Sequence, residues 1–287
     1  MTIIEAIILG IIQGVFMFFP VSSTSHLTFV QQVMIDRGSN LPAPDSAEII
    51  LFDLIVHVGT LISIGFVFRH QLLRAWRGIW HELATHRQSL GQLTTIRQTT
   101  YARLTLLSLA SLAVTGIIGL MITATNLTVV FDRPAIISLN LIITGILLWW
   151  TDSVGEGHVD AKAFTMRLAI IIGIAQGFAL LPGLSRSGLT IAIALYLGLK
   201  RKWAATYSFF LAIPTILAAS TAQFIYVLID NEPVMTSVGS FATGFVVAAV
   251  VGAGALSLVL HLLYRARFRI FSIYVWLFAL LVFFTMG

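Results

Sequence analysis

The chain has 287 residues, of which 58% are hydrophobic and 10% charged, with a mean hydropathy of +0.96; ordinary globular domains carry about 25% charged residues, so a soluble domain is excluded. With no cysteine, disulfides, iron–sulfur clusters and thiolate zinc sites are excluded too, and any metal must sit on oxygen or imidazole. The net charge of +5 does not point to nucleic acid, because the cations lie in short stretches between apolar runs, as juxtamembrane loops do.

Ten apolar segments are predicted as helical, at 3–19, 22–35, 49–68, 104–125, 134–151, 168–181, 187–199, 203–229, 236–262 and 270–286. The first segment follows Met-Thr-Ile-Ile-Glu with no Lys or Arg ahead of it, which does not match a cleavable signal peptide. Segments 3–19 and 22–35 are separated only by a short run with Pro20, three serines, Thr24 and His26. Segments 168–181 and 187–199 are separated only by Pro182-Gly183-Leu184-Ser185-Arg186-Ser187-Gly188. Irregular polar backbone at membrane depth is tolerated only where protein or a water-filled cavity satisfies it, so each pair reads as a re-entrant hairpin.

The remaining six segments read as full crossings, each near the roughly 20 apolar residues a bilayer requires. Twelve of the seventeen Lys and Arg fall in 69–103, 200–202 and 265–269. Six crossings plus two returning hairpins put all three stretches on the cytoplasmic side and both termini outside. The linker 152–167 carries more acid than that side favours and is the weakest fit. The expected fold class is an all-α membrane protein with ten helical segments, six of them transmembrane.

A hairpin followed by three crossings occurs twice. A shift of 163 residues aligns Gly10 with Gly173, Gln13 with Gln176, Gly14 with Gly177 and Ser22 with Ser185. Because three crossings separate the halves, the second is inverted, giving repeats 1–151 and 152–287 of the kind transporters build around a midplane site.

The two breaks concentrate the chemistry. The first supplies Ser22, Ser23, Thr24, Ser25 and His26, the second Ser185, Arg186, Ser187, Gly188 and Thr190. Serines that merely cap a helix are the plain reading of the first run. An arginine inside an apolar hairpin is costly unless paired, which makes Arg186 a functional candidate by default. Gly183 and Gly188 let backbone approach a ligand, a helix start favours an anion, and Arg186 offers a bidentate phosphate contact. A phosphorylated lipid is the implied ligand. Asp53 and His57 lie four apart on one helical face, where a carboxylate can orient an imidazole or a polar pair can simply pack helices. His70, His81, His86, His158 and His261 fall near loops or helix ends and are read as solvated or interfacial.

Gln13-Gly14 followed by Pro20-Val21-Ser22-Ser23-Thr24-Ser25-His26, and Pro182-Gly183-Leu184-Ser185-Arg186-Ser187-Gly188-Leu189-Thr190, resemble the two signature motifs of the bacitracin-resistance type of undecaprenyl-diphosphate phosphatase. Phe52-Asp53 with His57-Val58-Gly59-Thr60-Leu61, and Ser208 to Pro214, are similar to further family segments. The resemblance implies hydrolysis of undecaprenyl diphosphate to the monophosphate carrier at the outer face of the bacterial cytoplasmic (inner) membrane. That reaction serves peptidoglycan synthesis and confers bacitracin resistance. It also implies a divalent cation, Mg²⁺ or Ca²⁺. Arg186 would hold the diphosphate and Ser23 and His26 would be nucleophile and proton partner, in either order. Gln13, Ser22, Thr24, Ser185, Ser187 and Thr190 would line the substrate, with Asp53 and His57 in support. Two positions depart from the pattern: Ser25 stands where the family has Gly, and Met17 where it has a second glutamate. A thioether is a soft, nearly non-basic ligand, so a non-hydrolytic binder or a transporter of undecaprenyl phosphate is the alternative. The sequence leaves a homo-oligomer open.

Overall fold

A computed structural model describes residues 1–85, 99–125, 127–131, 133–230 and 235–286. Among them run twelve helices: α1 Ile3–Phe16, α2 Ser23–Asp36, α3 Ala47–Val67, α4 Arg69–Thr85, α5 Thr100–Ala124, α6 Leu127–Phe131, α7 Pro134–Thr151, α8 Met166–Phe178, α9 Arg186–Tyr196, α10 Arg201–Asp230, α11 Val238–Tyr264 and α12 Arg269–Met286. Six of them, α3, α5, α7, α10, α11 and α12, are long and apolar enough to cross a membrane. They are the six segments expected to do so, and the protein is a multi-pass membrane protein.

Among the described residues the ten expected helical segments become twelve helices, the additions being α4 and the five-residue α6. The α4 helix was hidden in a basic stretch, where the charges masked apolar residues at helical spacing: Leu72, Leu73, Trp76, Ile79, Trp80 and Leu83. Its Glu82 accepts the amides of Thr100 and Tyr101 on Oε1, at 2.9 and 3.1 Å, and of Ala102 on Oε2, at 2.8 Å. That carboxylate therefore caps α5, satisfying amides that a helix start leaves without partners. The breaks are also wider than expected, since α1 ends at Phe16 and α8 at Phe178.

Lipid tails are as apolar as leucine, so helices in a bilayer associate through close packing of small residues and interhelical hydrogen bonds. The α1 helix lies against α11, and α8 lies against α5. A Cβ at Gly14 would sit 2.9 Å from the Ala248 carbonyl, and one at Gly173 would sit 2.6 Å from the Ser111 carbonyl. Ser111 donates to the Ala169 carbonyl at 2.7 Å, and Thr115 donates to the Gly173 carbonyl at 3.0 Å. Both short helices are thus clamped backbone to backbone onto a long one.

The two ends of the bundle differ in charge. At one end the 152–165 linker gathers arginines from three different helices. Arg103 donates to the carbonyls of Phe164, Ala161 and Lys162. Buried Arg201 donates to Thr151 and Val154 at 3.0 and 2.7 Å, and Arg269 donates to Ser153 at 2.7 Å. Asp152 accepts the amides of Phe268 and Arg269. The linker that fitted its assigned side least well therefore lies among residues from all three basic stretches. At the other end the N-terminus donates to Thr236, Glu48 accepts from Thr236 and from the Met235 amide, and Ser39 donates to Glu5.

Candidate active site

The turn between α1 and α2 is held by an unusual serine. Ser22 precedes α2 with φ +69°, a left-handed conformation that side chains with a Cβ adopt rarely, and its hydroxyl does not cap the helix. Instead Ser22 Oγ lies 3.1 Å from Ser25 Oγ, leaving the first amides of α2 without that cap. His26 fixes this turn: Nδ1 donates to the Ser22 carbonyl at 2.7 Å, Nε2 lies 3.0 Å from the Tyr274 hydroxyl, and the ring stacks between Phe16 and Phe278.

The second tip is fixed from α7. Gly183 takes φ +87°, the left-handed region where glycine alone is unstrained. Asn140 donates to the Pro182 carbonyl at 2.7 Å, and Thr144 accepts the Ser185 amide at 3.2 Å. Ser185 caps α9 by accepting the Gly188 amide at 3.1 Å. The tips meet: a Cβ on Gly188 would stand 3.1 Å from the Pro20 carbonyl.

Between them lies a pocket of about 340 Å³. Its lining takes Met17, Ser22, Ser23 and Thr24 from the first tip, and Ser185, Arg186 and Ser187 from the second. Asp53 and His57 come from α3, and Thr215, Ser220 and Gln223 from α10. Two helix N-termini therefore face one cavity, an arrangement that favours an anion. Arg186 makes no ion pair with a described carboxylate, and its Nη1 is buried without a hydrogen-bond partner among the described residues.

Three of the candidate residues lie outside this lining. Gln13 is buried beneath it and donates to Met17 Sδ at 3.5 Å. Thr190 is turned away, donating to the Arg186 carbonyl at 2.8 Å and pairing with Ser208 at 2.6 Å. His26 has both ring nitrogens engaged, as described above. Asp53 and His57 do not pair through the carboxylate. His57 Nδ1 donates to the main-chain carbonyl of Asp53 at 2.7 Å, while the Asp53 carboxylate accepts from Gln31 of α2 at 2.9 Å. His86 lies outside the described residues.

Tyr274, Asn140, Thr144, Gln31 and Gln223 carry no motif, so sequence reasoning missed them. Four of them come from the crossings α7, α10 and α12, where only a polar residue inside an apolar run could have marked them, and Gln31 lies on α2 itself, beyond His26.

A model of the family described as bacitracin resistance protein BacA matches residues 6–281. The chain belongs to this family. It is 50% identical over 279 residues to the undecaprenyl-diphosphatase of Alkalilimnicola ehrlichii, covering 96% of this chain and 93% of that one. It is 48% identical over 274 residues to the undecaprenyl-diphosphatase of Halorhodospira halophila, covering 94% and 93%. It is 32% identical over 278 residues to that of Carboxydothermus hydrogenoformans, covering 95% and 93%.

Where the family pattern carries a second glutamate, buried Met17 accepts weak contacts from Gln13 Nε2 and from Ser23 Oγ, at 3.5 and 3.9 Å. Among the described residues no group of three or more His, Asp or Glu is placed to hold a metal ion. Asp53 is the one carboxylate in the pocket lining, shared there with the Arg186 cation. Calcium takes six to eight oxygen ligands, and magnesium commonly uses one or two carboxylates with substrate phosphates. The donor set therefore does not fit a metal held by the protein alone; one carboxylate suffices only for a magnesium ion that arrives on substrate phosphates.

Proposed function

We propose that the chain hydrolyses undecaprenyl diphosphate to undecaprenyl phosphate and inorganic phosphate, recycling the carrier lipid for cell-wall synthesis. The observation that carries this reading is Arg186, a cation without an anionic partner among the described residues, at a pocket where two helix N-termini converge. Relatives of half-identical sequence named for that activity support the substrate.

In this reading the terminal phosphate lies between the tips, with its non-bridging oxygens on Arg186 and the free amides of α2 and α9. Phosphoryl transfer depends chiefly on positioning and on charge stabilisation, which these groups supply. Ser23 Oγ is the nucleophile, attacking the terminal phosphorus in line with the bridging oxygen. The Oγ–P bond forms, the P–O bond to the lipid phosphate breaks, and water later releases phosphate from the serine. Ser23 is favoured over His26 because it lines the pocket and holds only a weak thioether contact. The divalent cation of the resemblance enters as part of the substrate, carried on the diphosphate, where it would neutralise phosphate charge.

The two hairpins are read as re-entrant and the halves 1–151 and 152–287 as inverted repeats. What supports this is the correspondence of contacts: α1 on α11 with α8 on α5, and the tip-holding residues of α12 with those of α7. Gln13 and Gln176, aligned by the repeat, are both fully buried, each with Oε1 unpartnered among the described residues. The basic end is read as cytoplasmic. The pocket then opens outward, since Asp53 lies six residues inside the opposite end of α3 and Gln223 seven inside that of α10.

The test is phosphate release from undecaprenyl diphosphate by the purified protein in detergent with Mg²⁺, beside Ser23→Ala. Release abolished by the substitution is expected. No release by the unsubstituted protein would overturn hydrolysis and favour a carrier of undecaprenyl phosphate.

A further inference from the structure

Serine needs a group to take its proton, and two expected candidates are not available. The family's glutamate position holds Met17, which cannot act as a base. His26 has Nδ1 committed to the Ser22 carbonyl and Nε2 to the Tyr274 hydroxyl, and it does not line the pocket.

His57 differs on each point. It lines the pocket that Ser23 and Arg186 share. Nδ1 stands 2.7 Å from the Asp53 main-chain carbonyl. A carbonyl only accepts, so Nδ1 must carry the hydrogen and Nε2 must carry the lone pair. Nε2 has no hydrogen-bond partner among the described residues. The helix segment bearing it is held from both sides. Gln31 of α2 ties down Asp53, and on the α11 side a Cβ at Gly59 would stand 2.7 Å from the Phe245 carbonyl. The imidazole thus has a fixed base, a fixed tautomer and a free accepting nitrogen beside the reacting pocket.

We propose that His57 Nε2 is the general base of the reaction, a role that rests on the hydrolase reading above. The Ser23 hydroxyl proton passes to Nε2 as Oγ bonds to phosphorus, and the imidazolium returns it to the oxygen of the departing lipid phosphate. In the second half, water loses a proton to Nε2 as its oxygen bonds to phosphorus. The Ser23 Oγ–P bond breaks and Nε2 gives that proton back to Oγ, so one water is consumed per phosphate released. The titratable groups that line the pocket with His57 are Asp53 on its own helix and Arg186 from the second tip. The first tip and α10 present Met17, Ser23, Thr215 and Gln223, which do not titrate in the working range. The ionisable side chains of α11 are His261 and Tyr264, at its far end.

The experiment compares the full chain with His57→Ala, His57→Gln, His26→Gln and Ser23→Ala in detergent, each checked for a monodisperse, thermally cooperative preparation. The readouts are kcat, KM and the pH–rate profile with undecaprenyl diphosphate. General-base loss is typically about 10²–10⁴-fold, so both His57 variants should lose kcat on that scale while KM stays within a few-fold. The limb of the profile that rises with pH should vanish. Added imidazole should restore rate to His57→Ala and not to Ser23→Ala. His26→Gln, if it acts through the turn alone, should keep the rising limb. A well-folded His57→Ala or His57→Gln with near-normal kcat and an unchanged rising limb would overturn the base. An inactive unsubstituted protein would instead overturn hydrolysis itself, and the base with it.

Discussion

Replacing Gly14 with alanine tests whether the first tip is set by backbone contact between α1 and α11. The new Cβ would stand 2.9 Å from the Ala248 carbonyl, 3.0 Å from the Gly252 amide and 3.1 Å from Val251 Cβ. Ordinary contact begins at 3.4 Å, so the helices must separate by about 0.5 Å, and two of the three obstacles are main chain that cannot rotate away. Overpacking of this kind costs about 1–3 kcal/mol. Gly14 lies only eight residues before Ser22, so the displacement reaches the tip directly. A misplacement of about 1 Å costs about 10²-fold in rate, so half that distance should cost about tenfold. The assay pairs thermal unfolding in detergent with phosphate release. Gly254→Ala is the control, since it makes the same substitution on α11 with nothing within 4 Å of the new Cβ. Gly14→Ala should lower both midpoint and turnover while Gly254→Ala changes neither. A Gly14→Ala protein as stable and as active as the control would refute the clamp.

Other substitutions probe other links. Met17→Leu should leave turnover within a few-fold, because the thioether contacts at 3.5 and 3.9 Å are weak and a Leu–Met exchange usually costs under about 1.5 kcal/mol; a loss of 10²-fold or more would show that the sulfur takes part in the chemistry. Tyr274→Phe leaves the buried Nε2 of His26 without its partner and should cost about 1–3 kcal/mol in unfolding measurements, with turnover falling as the first tip loosens. Arg201→Ala strands the carbonyls of Thr151 and Val154. It should destabilise the protein by about 1.5–3 kcal/mol per charged hydrogen bond at most, with Arg201→Lys recovering only part.

Much of this architecture was readable because bilayers impose strong rules. Six apolar stretches of sufficient length announced α3, α5, α7, α10, α11 and α12, and the basic clusters ordered them. The proline-bearing polar breaks marked Ser22, Ser23, Ser185 and Arg186, since such residues have no other business between apolar helices. The α4 helix was not legible, because its arginines interrupt its apolar stripe and leave no long hydrophobic run. The partners of His26 and Asp53 were hidden for a different reason. Tyr274 is 248 residues from His26, and Gln31 is 22 from Asp53; neither spacing is a helical or strand period. Periodicity reports which face a residue occupies and is silent on which other helix that face meets.

The absence of cysteine from the chain permits a direct test of the pocket's place and side. Gln223 is exposed and lines the pocket, so Gln223→Cys can be labelled in oriented vesicles with a membrane-impermeant maleimide, with and without a methylene-bridged undecaprenyl diphosphate analogue. An outward diphosphate pocket predicts labelling from the outer face, slowed by the analogue, with the protection lost when Arg186→Ala is added. Labelling only from the cytoplasmic face, or protection that survives the loss of Arg186, would contradict it.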